Sequence, residues 1–269
     1  MADDRDHMMY IAKENAKEIH QVLKSMKFKE YCTFKACRDG IQFVVDDHNF
    51  QQANAYLKTE IFSELDVRVD EVRLRVPMNI LAECFNVFSG ASTALRLTYD
   101  GPGEPLVVSL EDEGIVFKCS IMCQNPQHHH KMYDFEWKNE NVLAKVILKP
   151  NKAKEIVRDL DKTSPTVRIT VTDGHISFLT DGELGKIKSM IPAHSDQVEH
   201  MEACRERVTF SYRYNLIHRM ETAFLASSKI SLRIDNRGVM STQFLIPRTD
   251  SKNIFIEFFT IAEVEWDDG

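Results

Sequence analysis

No run of about 18 apolar residues occurs anywhere in the 269-residue chain, so no segment has the length and apolarity of a membrane-spanning helix. Overall positive charge is also missing. The formal net charge is -7, which discourages a nucleic-acid reading until the charges are located along the chain. The first residues, "MADDRDHMMYIAKEN", lack the basic-then-apolar order of a signal peptide, so the expected compartment is cytosol or nucleus. Six scattered cysteines have no framework spacing and are expected as free thiols. What is present, 43% hydrophobic and 28% charged residues, is ample material for a core.

Catalytic signatures are equally scarce. There is no G-x-S-x-G and no Cys/His pair placed as nucleophile and base. A phosphate loop needs G-x-x-x-x-G-K-S/T between a strand and a helix. In "TVTDGHISFLTDGELGKIKSMIP" (Thr170 to Pro192), Gly182 and Gly185 stand only two residues apart, Lys186 is followed by Ile187, and the next segment alternates as a strand does. These glycines are expected to serve turns. His128, His129 and His130 follow Cys119 and Cys123, but Cys119 falls on an expected strand and no second ligand pair has regular spacing. A polar linker is the better reading, and no metal or other cofactor is expected. Asp134 and Glu136 in "YDFEW" form the Asp-x-Glu that two-metal exonucleases use. The further carboxylates such a site needs, Asp173, Asp181 and Asp235, sit in turn contexts.

Read for periodicity, residues 11–27 space Ala12, Ala16, Ile19, Val22, Leu23 and Met26 on one helical face. Lys13, Lys17, His20, Lys24 and Lys27 follow steps of three and four along another. Further helices are expected at Pro77 to Gly90, Pro150 to Lys162 and Arg213 to Ser228, with alternating strands between them. Residues 193–206 read as a polar loop. The order helix, strands, helix, three strands occurs twice, about 135 residues apart: "RDGIQF" answers "TDGHISF", and "LRLTYDGPG" answers "LRIDNRG". A period this long marks a duplicated domain. Lys154, Arg158 and Lys162 stripe the third helix as the lysines stripe the first, and Arg213, His218 and Arg219 lie on the fourth. Equivalent basic stripes in an acidic protein point to a surface that tracks phosphates without reading sequence.

The segments "PNKAKEIVRDL", "DGHISFLTDGELGKIKS", "RVTFSYRYNLIHRM" and "IEFFTIAE", in that order, resemble the DNA sliding-clamp family typified by proliferating cell nuclear antigen. "FQQANAYLKTEIF", "TALRLTYDGPGEPLVVSLEDEGIVFKCSI" and "SLRIDNRGVMSTQFLI" are most similar to the Rad-one type of subunit in the heterotrimeric nine-one-one checkpoint clamp. The resemblance implies an α+β chain of two similar clamp domains, each with two helices packed on antiparallel sheets. They would span residues 1–123 and 133–269, joined by a linker at 124–132. It implies a nuclear, non-catalytic subunit of a DNA-damage checkpoint ring. The partners would be two other clamp subunits, a checkpoint clamp loader, double-stranded DNA, and repair and signalling proteins. A metal-dependent 3'-5' exonuclease and a scaffold that never touches DNA stand as alternatives. Carried onto this chain, Lys13, Lys17, His20, Lys24, Lys27, Lys154, Arg158, Lys162 and Arg219 would face DNA. Ile115, Phe117, Cys119 and Ile121 on one edge strand, with Ile187 and Met190 on another, would join neighbouring subunits. Val45, Phe50, Phe259 and Ile261 would line a groove for partner peptides.

Overall fold

The computed structural model describes residues 7–88, 93–125, 141–183, 185–248 and 253–263. Asp134, Glu136, the three consecutive histidines and residues 126–132 of the expected linker lie outside them. The chain folds as two units, the first drawn from residues 1–46, 54–130 and 248–254 and the second from 47–53, 131–247 and 255–269.

The elements of the first unit run β1 (Met9–Lys13), α1 (Ala16–Ser25), β2 (Tyr31–Cys37), β3 (Gly40–Asp47), β4 (Gln51–Lys58), β5 (Glu64–Val67), β6 (Val72–Pro77), α2 (Met78–Cys84), β7 (Ala94–Tyr99), β8 (Leu106–Asp112) and β9 (Ile115–Ile121). One antiparallel sheet has the order β5-β1-β7-β8-β9. A second run of neighbours is β4-β3-β2-β6. Residues expected to open a helix at 11 instead form β1, because Met9, Ile11 and Lys13 alternate inward between β5 and β7. The helix begins only after Asn15, whose side chain accepts from the Lys17 backbone N–H at 3.0 Å and so caps α1. α1 then buries Ala16, Ile19, Val22 and Leu23, the stripe the sequence shows.

In the second unit come β10 (Val142–Leu148), α3 (Pro150–Arg158), β11 (Thr166–Val171), β12 (His175–Gly182), β13 (Gly185–Pro192), β14 (Val198–Ala203), β15 (Val208–Arg213), α4 (Tyr214–His218), α5 (Glu221–Ala226), β16 (Lys229–Asp235), β17 (Met240–Ile246) and β18 (Ile254–Thr260). Its strand orders, β14-β10-β16-β17-β18 and β13-β12-β11-β15, repeat those of the first unit strand for strand. The fold is the α+β, antiparallel arrangement of the clamp proteins, built twice from one plan.

Two local expectations are corrected. The supposed polar loop at 193–206 contains β14, which pairs with β10 despite its polar sequence. The single fourth helix is two short ones, since the chain turns at Arg219 and Met220 between α4 and α5. "DGELGK" closes the β12–β13 hairpin, with Gly182 opposite Gly185 and Gly185 at φ +92°. Gly182 is required by space instead: a Cβ there would lie 2.4 Å from Thr163 Oγ1 and 2.7 Å from the Ser164 backbone nitrogen. No helix follows to face an anion. The segment is structural.

Aromatic packing anchors both cores. Phe34 and Phe43 meet at 5.5 Å in the first unit. Phe224, Phe244 and Phe258 stack edge to face at 4.9 and 5.8 Å in the second. Each fully buried ring of these, Phe34, Phe43, Phe244 and Phe258, stabilises by about 1.5–3 kcal/mol relative to exposure.

Candidate nucleic-acid interface

α1 presents its polar face one turn at a time. Lys17, Gln21 and Lys24 are exposed, and the lysines have no ion-pair partner among the described residues. Seven residues separate the two lysines, about 10 Å along the axis and on one face. Gln21 was not among the expected contacts, although the same helical period places it between them.

The remaining expected cations of this helix are committed elsewhere. Lys13 is corrected outright, because it sits on β1, is 4% exposed, and places its Nζ 2.7 Å from Glu18 Oε2. Glu18 also receives Arg248 at 3.0 Å, so one carboxylate serves two covered cations. His20 shares a 3.0 Å hydrogen bond with the Ala82 carbonyl, and Lys27 pairs with Glu83 at 3.3 Å, which fastens α1 to α2.

In the second unit, α3 begins with Pro150 and buries Ala153 and Val157. Arg158 is exposed but holds Asp159 at 3.0 Å, and Lys152 holds Glu155 at 2.7 Å. Lys154 is half-buried and Lys162 exposed, without ion pairs among the described residues. Arg219 is corrected as a DNA contact: it forms a partly covered pair with Asp47 at 2.5 Å. Both helix regions therefore mix committed and open cations: Lys17 and Lys24 on α1, and Lys154 and Lys162 on and just after α3, have no ion pair among the described residues.

The expected joining strands both lie at sheet ends, β9 beyond β8 and β13 beyond β12. Ile115 is 63% and Met190 54% exposed, Phe117, Cys119 and Ile187 are half-buried, and Ile121 is buried. Under β9, Cys119 faces Cys84 of α2, whose thiol is pushed up to about 12, first by burial and then by Cys119. Beside β13, a cavity of about 280 Å³ opens against α3, with Ile156, Met190, Ile191 and Pro192 in its lining.

Of the expected peptide groove, Val45 is corrected. It is fully buried on β3 in the first unit and offers nothing to a ligand. Phe50, Phe259 and Ile261 belong to the second unit, where the Ile261 N–H donates to the Phe50 carbonyl at 3.0 Å. The Arg213 guanidinium lies 4.3 Å from the Phe50 ring centre and bonds Glu263, so a cation caps the aromatic ring. Neither Arg213 in that role nor Glu263 carries a sequence signal; only the fold brings them to residue 50.

Two of the carboxylates such metal chemistry would need, Asp235 and Asp181, are engaged. Asp235 is buried and accepts from the backbone N–H groups of Arg237 and Val239 at 2.9 and 2.8 Å, as a turn staple does. Asp181 pairs with Lys186 at 3.2 Å. Among the described residues no cluster of three or more His, Cys, Asp or Glu side chains could hold a metal ion.

Residues 8–246 match the family described as Repair protein Rad1/Rec1/Rad17. The chain is 35% identical to the Cell cycle checkpoint protein RAD1 homolog mrt-2 of Caenorhabditis elegans, over 96% of each chain. It is 30% identical to the human Cell cycle checkpoint protein RAD1, over 98% of this chain and 94% of that one. More distantly, the DNA repair exonuclease REC1 of Mycosarcoma maydis is 22% identical over 60% of this chain and 41% of its own.

Proposed function

The chain belongs to the Rad1/Rec1/Rad17 family of repair proteins, and from that premise we propose that it is a non-catalytic subunit of a ring-shaped clamp that encircles duplex DNA in the damage checkpoint. Its two clamp domains, residues 1–123 and 133–269 with 124–132 between them, each offer helices to the duplex. Two different clamp subunits complete the ring, a checkpoint clamp loader opens it, and repair and signalling proteins are recruited to it in the nucleus.

The observation that carries this reading is the α1 face, where Lys17 and Lys24 stand without an ion pair among the described residues on a chain of net charge -7. Exposed lysines on a rigid helix contact phosphates as point charges, and such contacts attract any duplex without reading bases. Few and weak contacts suit a ring that must slide, because the affinity of a tight one would hold it in place. The chain's own part is thus positional. It holds two cations in fixed relation through the Asn15 cap and the His20 and Lys27 links to α2. No cofactor enters.

The name of the distant REC1 relative favours a second reading, a metal-dependent exonuclease. That chemistry needs converging carboxylates, and among the described ones Asp235 staples a turn and Asp181 holds Lys186. The test uses the chain purified with the subunits that accompany it in cells and loaded onto nicked circular DNA. A clamp stays on the closed circle at high salt and is released when the circle is cut once. Release from intact circles at the same rate would remove the clamp reading. Magnesium-dependent digestion by the purified chain, lost in Asp134→Ala, would install the exonuclease.

A further inference from the structure

β9 and β13 each end a sheet, so each offers a row of backbone N–H and C=O groups to an incoming strand. Their side chains divide in the same way. On β9, Phe117, Cys119 and Ile121 form the covered row, and Val116, Lys118 and Ser120 the solvent row. On β13, Ile187, Ser189 and Ile191 are covered, and Lys186, Lys188 and Met190 face solvent. Each edge therefore carries a lysine at the middle of its outward row. Lys186 is balanced by Asp181 at 3.2 Å, and Glu111, one strand in from β9, is balanced by Arg96 at 3.3 Å. Lys118 and Lys188 have no ion-pair partner among the described residues.

An antiparallel partner must set covered row against covered row, since a one-residue slip turns every side chain to the wrong face. In a centred register, β9 of one copy against β13 of another then opposes Lys118 and Lys188. β9 against β9 opposes Lys118 and Lys118, and β13 against β13 opposes Lys188 and Lys188. A two-residue slip of β9 along β13 substitutes Lys186 for Lys188 in one direction and Met190 in the other, and only the latter relieves the charge opposition. Every centred way of joining this chain to itself sets like charges directly opposite each other, which is unfavourable on a sheet.

We propose that these two edges are built to join partner strands that carry aspartate or glutamate on their outward row, and that Lys118 and Lys188 keep the chain from pairing with itself. The assignment of the edges as joining surfaces rests on the clamp-subunit reading; the charge rule comes from the strands themselves. One opposed pair changes a dissociation constant by up to about five-fold, so reversing one charge, which removes repulsion and adds attraction, changes it by up to about 25-fold.

Sedimentation velocity of the full chain alone, at low ionic strength, tests this. The unsubstituted chain is expected to stay monomeric at concentrations where K118E or K188E associates head to tail. The double variant K118E/K188E, with like charges restored, is expected to return to monomer. K118Q, which only removes repulsion, should gain no more than about five-fold. Both lysines are exposed, so folding is not at risk, and the gained association should weaken as salt is raised. Association of the unsubstituted chain as strong as that of K118E would overturn the proposal, as would a double variant that associates as strongly as the single ones. The assay contains no DNA and no partner, so a failure of the clamp reading on circular DNA registers separately from a failure here.

Discussion

Replacing Lys17 and Lys24 by alanine tests whether α1 touches phosphates, and the structure sets the size of the effect. Both side chains are exposed and unpaired among the described residues, about 10 Å apart along one face. Each lysine that neutralises one duplex phosphate contributes about 0.9 to the slope of log affinity against log salt. The K17A/K24A chain, in its assembled complex, should therefore show a slope shallower by about 1.8. Between roughly 50 and 200 mM salt, that difference narrows the affinity gap to the unsubstituted complex by about ten-fold. Arg158→Ala on α3 should change the slope far less, because Asp159 already holds that guanidinium at 3.0 Å. Fluorescence anisotropy of a labelled duplex across a salt series measures all three. An unchanged slope in K17A/K24A, or an equal loss in Arg158→Ala, would refute the reasoning.

Three further outcomes follow from the interior. Glu18→Ala strips the counter-charge from Lys13 and Arg248, which are 4% and 6% exposed as side chains, and should cost about 3–5 kcal/mol in chemical denaturation. Gly182→Ala pushes a Cβ against Thr163 and the backbone of Ser164, and should cost about 1–3 kcal/mol by the same measurement while leaving secondary structure by circular dichroism unchanged. Burial, the larger cause, and Cys123 push the Cys32 thiol from 9.0 up to about 12, so iodoacetamide at pH 8 should label exposed Cys204 well before Cys32. Because the folded chain holds that proton more tightly than the unfolded one, its contribution is whole below about pH 9 and fades as pH climbs toward 12; a Cys32→Ala chain should show a flatter loss of stability over that range.

The helices and the central strands could be read from the sequence because their apolar residues recur at 3.6 or at 2, and the duplication because its turn residues recur. What escaped was carried by pairing. β1 reads as part of the helix that follows, since "MYIAK" is too short and too apolar for its period to show; the cap at Asn15 marks the boundary. β14, "VEHMEA", is an edge strand with half of its residues exposed and none buried, so burial imposes little alternation on it. Ion pairs were illegible for another reason. Lys27 meets Glu83 across 56 residues and Arg219 meets Asp47 across 172, and no local pattern distinguishes a cation held by such a partner from one that is free. The basic stripe was thus visible as spacing, while the commitments of its members were not.

Those commitments explain how an acidic chain can serve a polyanion. The two units repeat one strand order, so the fold alone would give two equal helix faces. The sequence restrains both by pairing some of their cations, Lys27 with Glu83 just after α1 and Lys152 and Arg158 with Glu155 and Asp159 on α3. On the proposed clamp reading, such pairing limits the number of phosphate contacts, and the salt slope grows with that number. A sliding contact is served by a small slope and a sequence-specific one is not. On the proposed edge rule, Lys118 and Lys188, which have no ion pair among the described residues, leave the strand backbone free to pair and let charge choose the partner, on elements separate from α1.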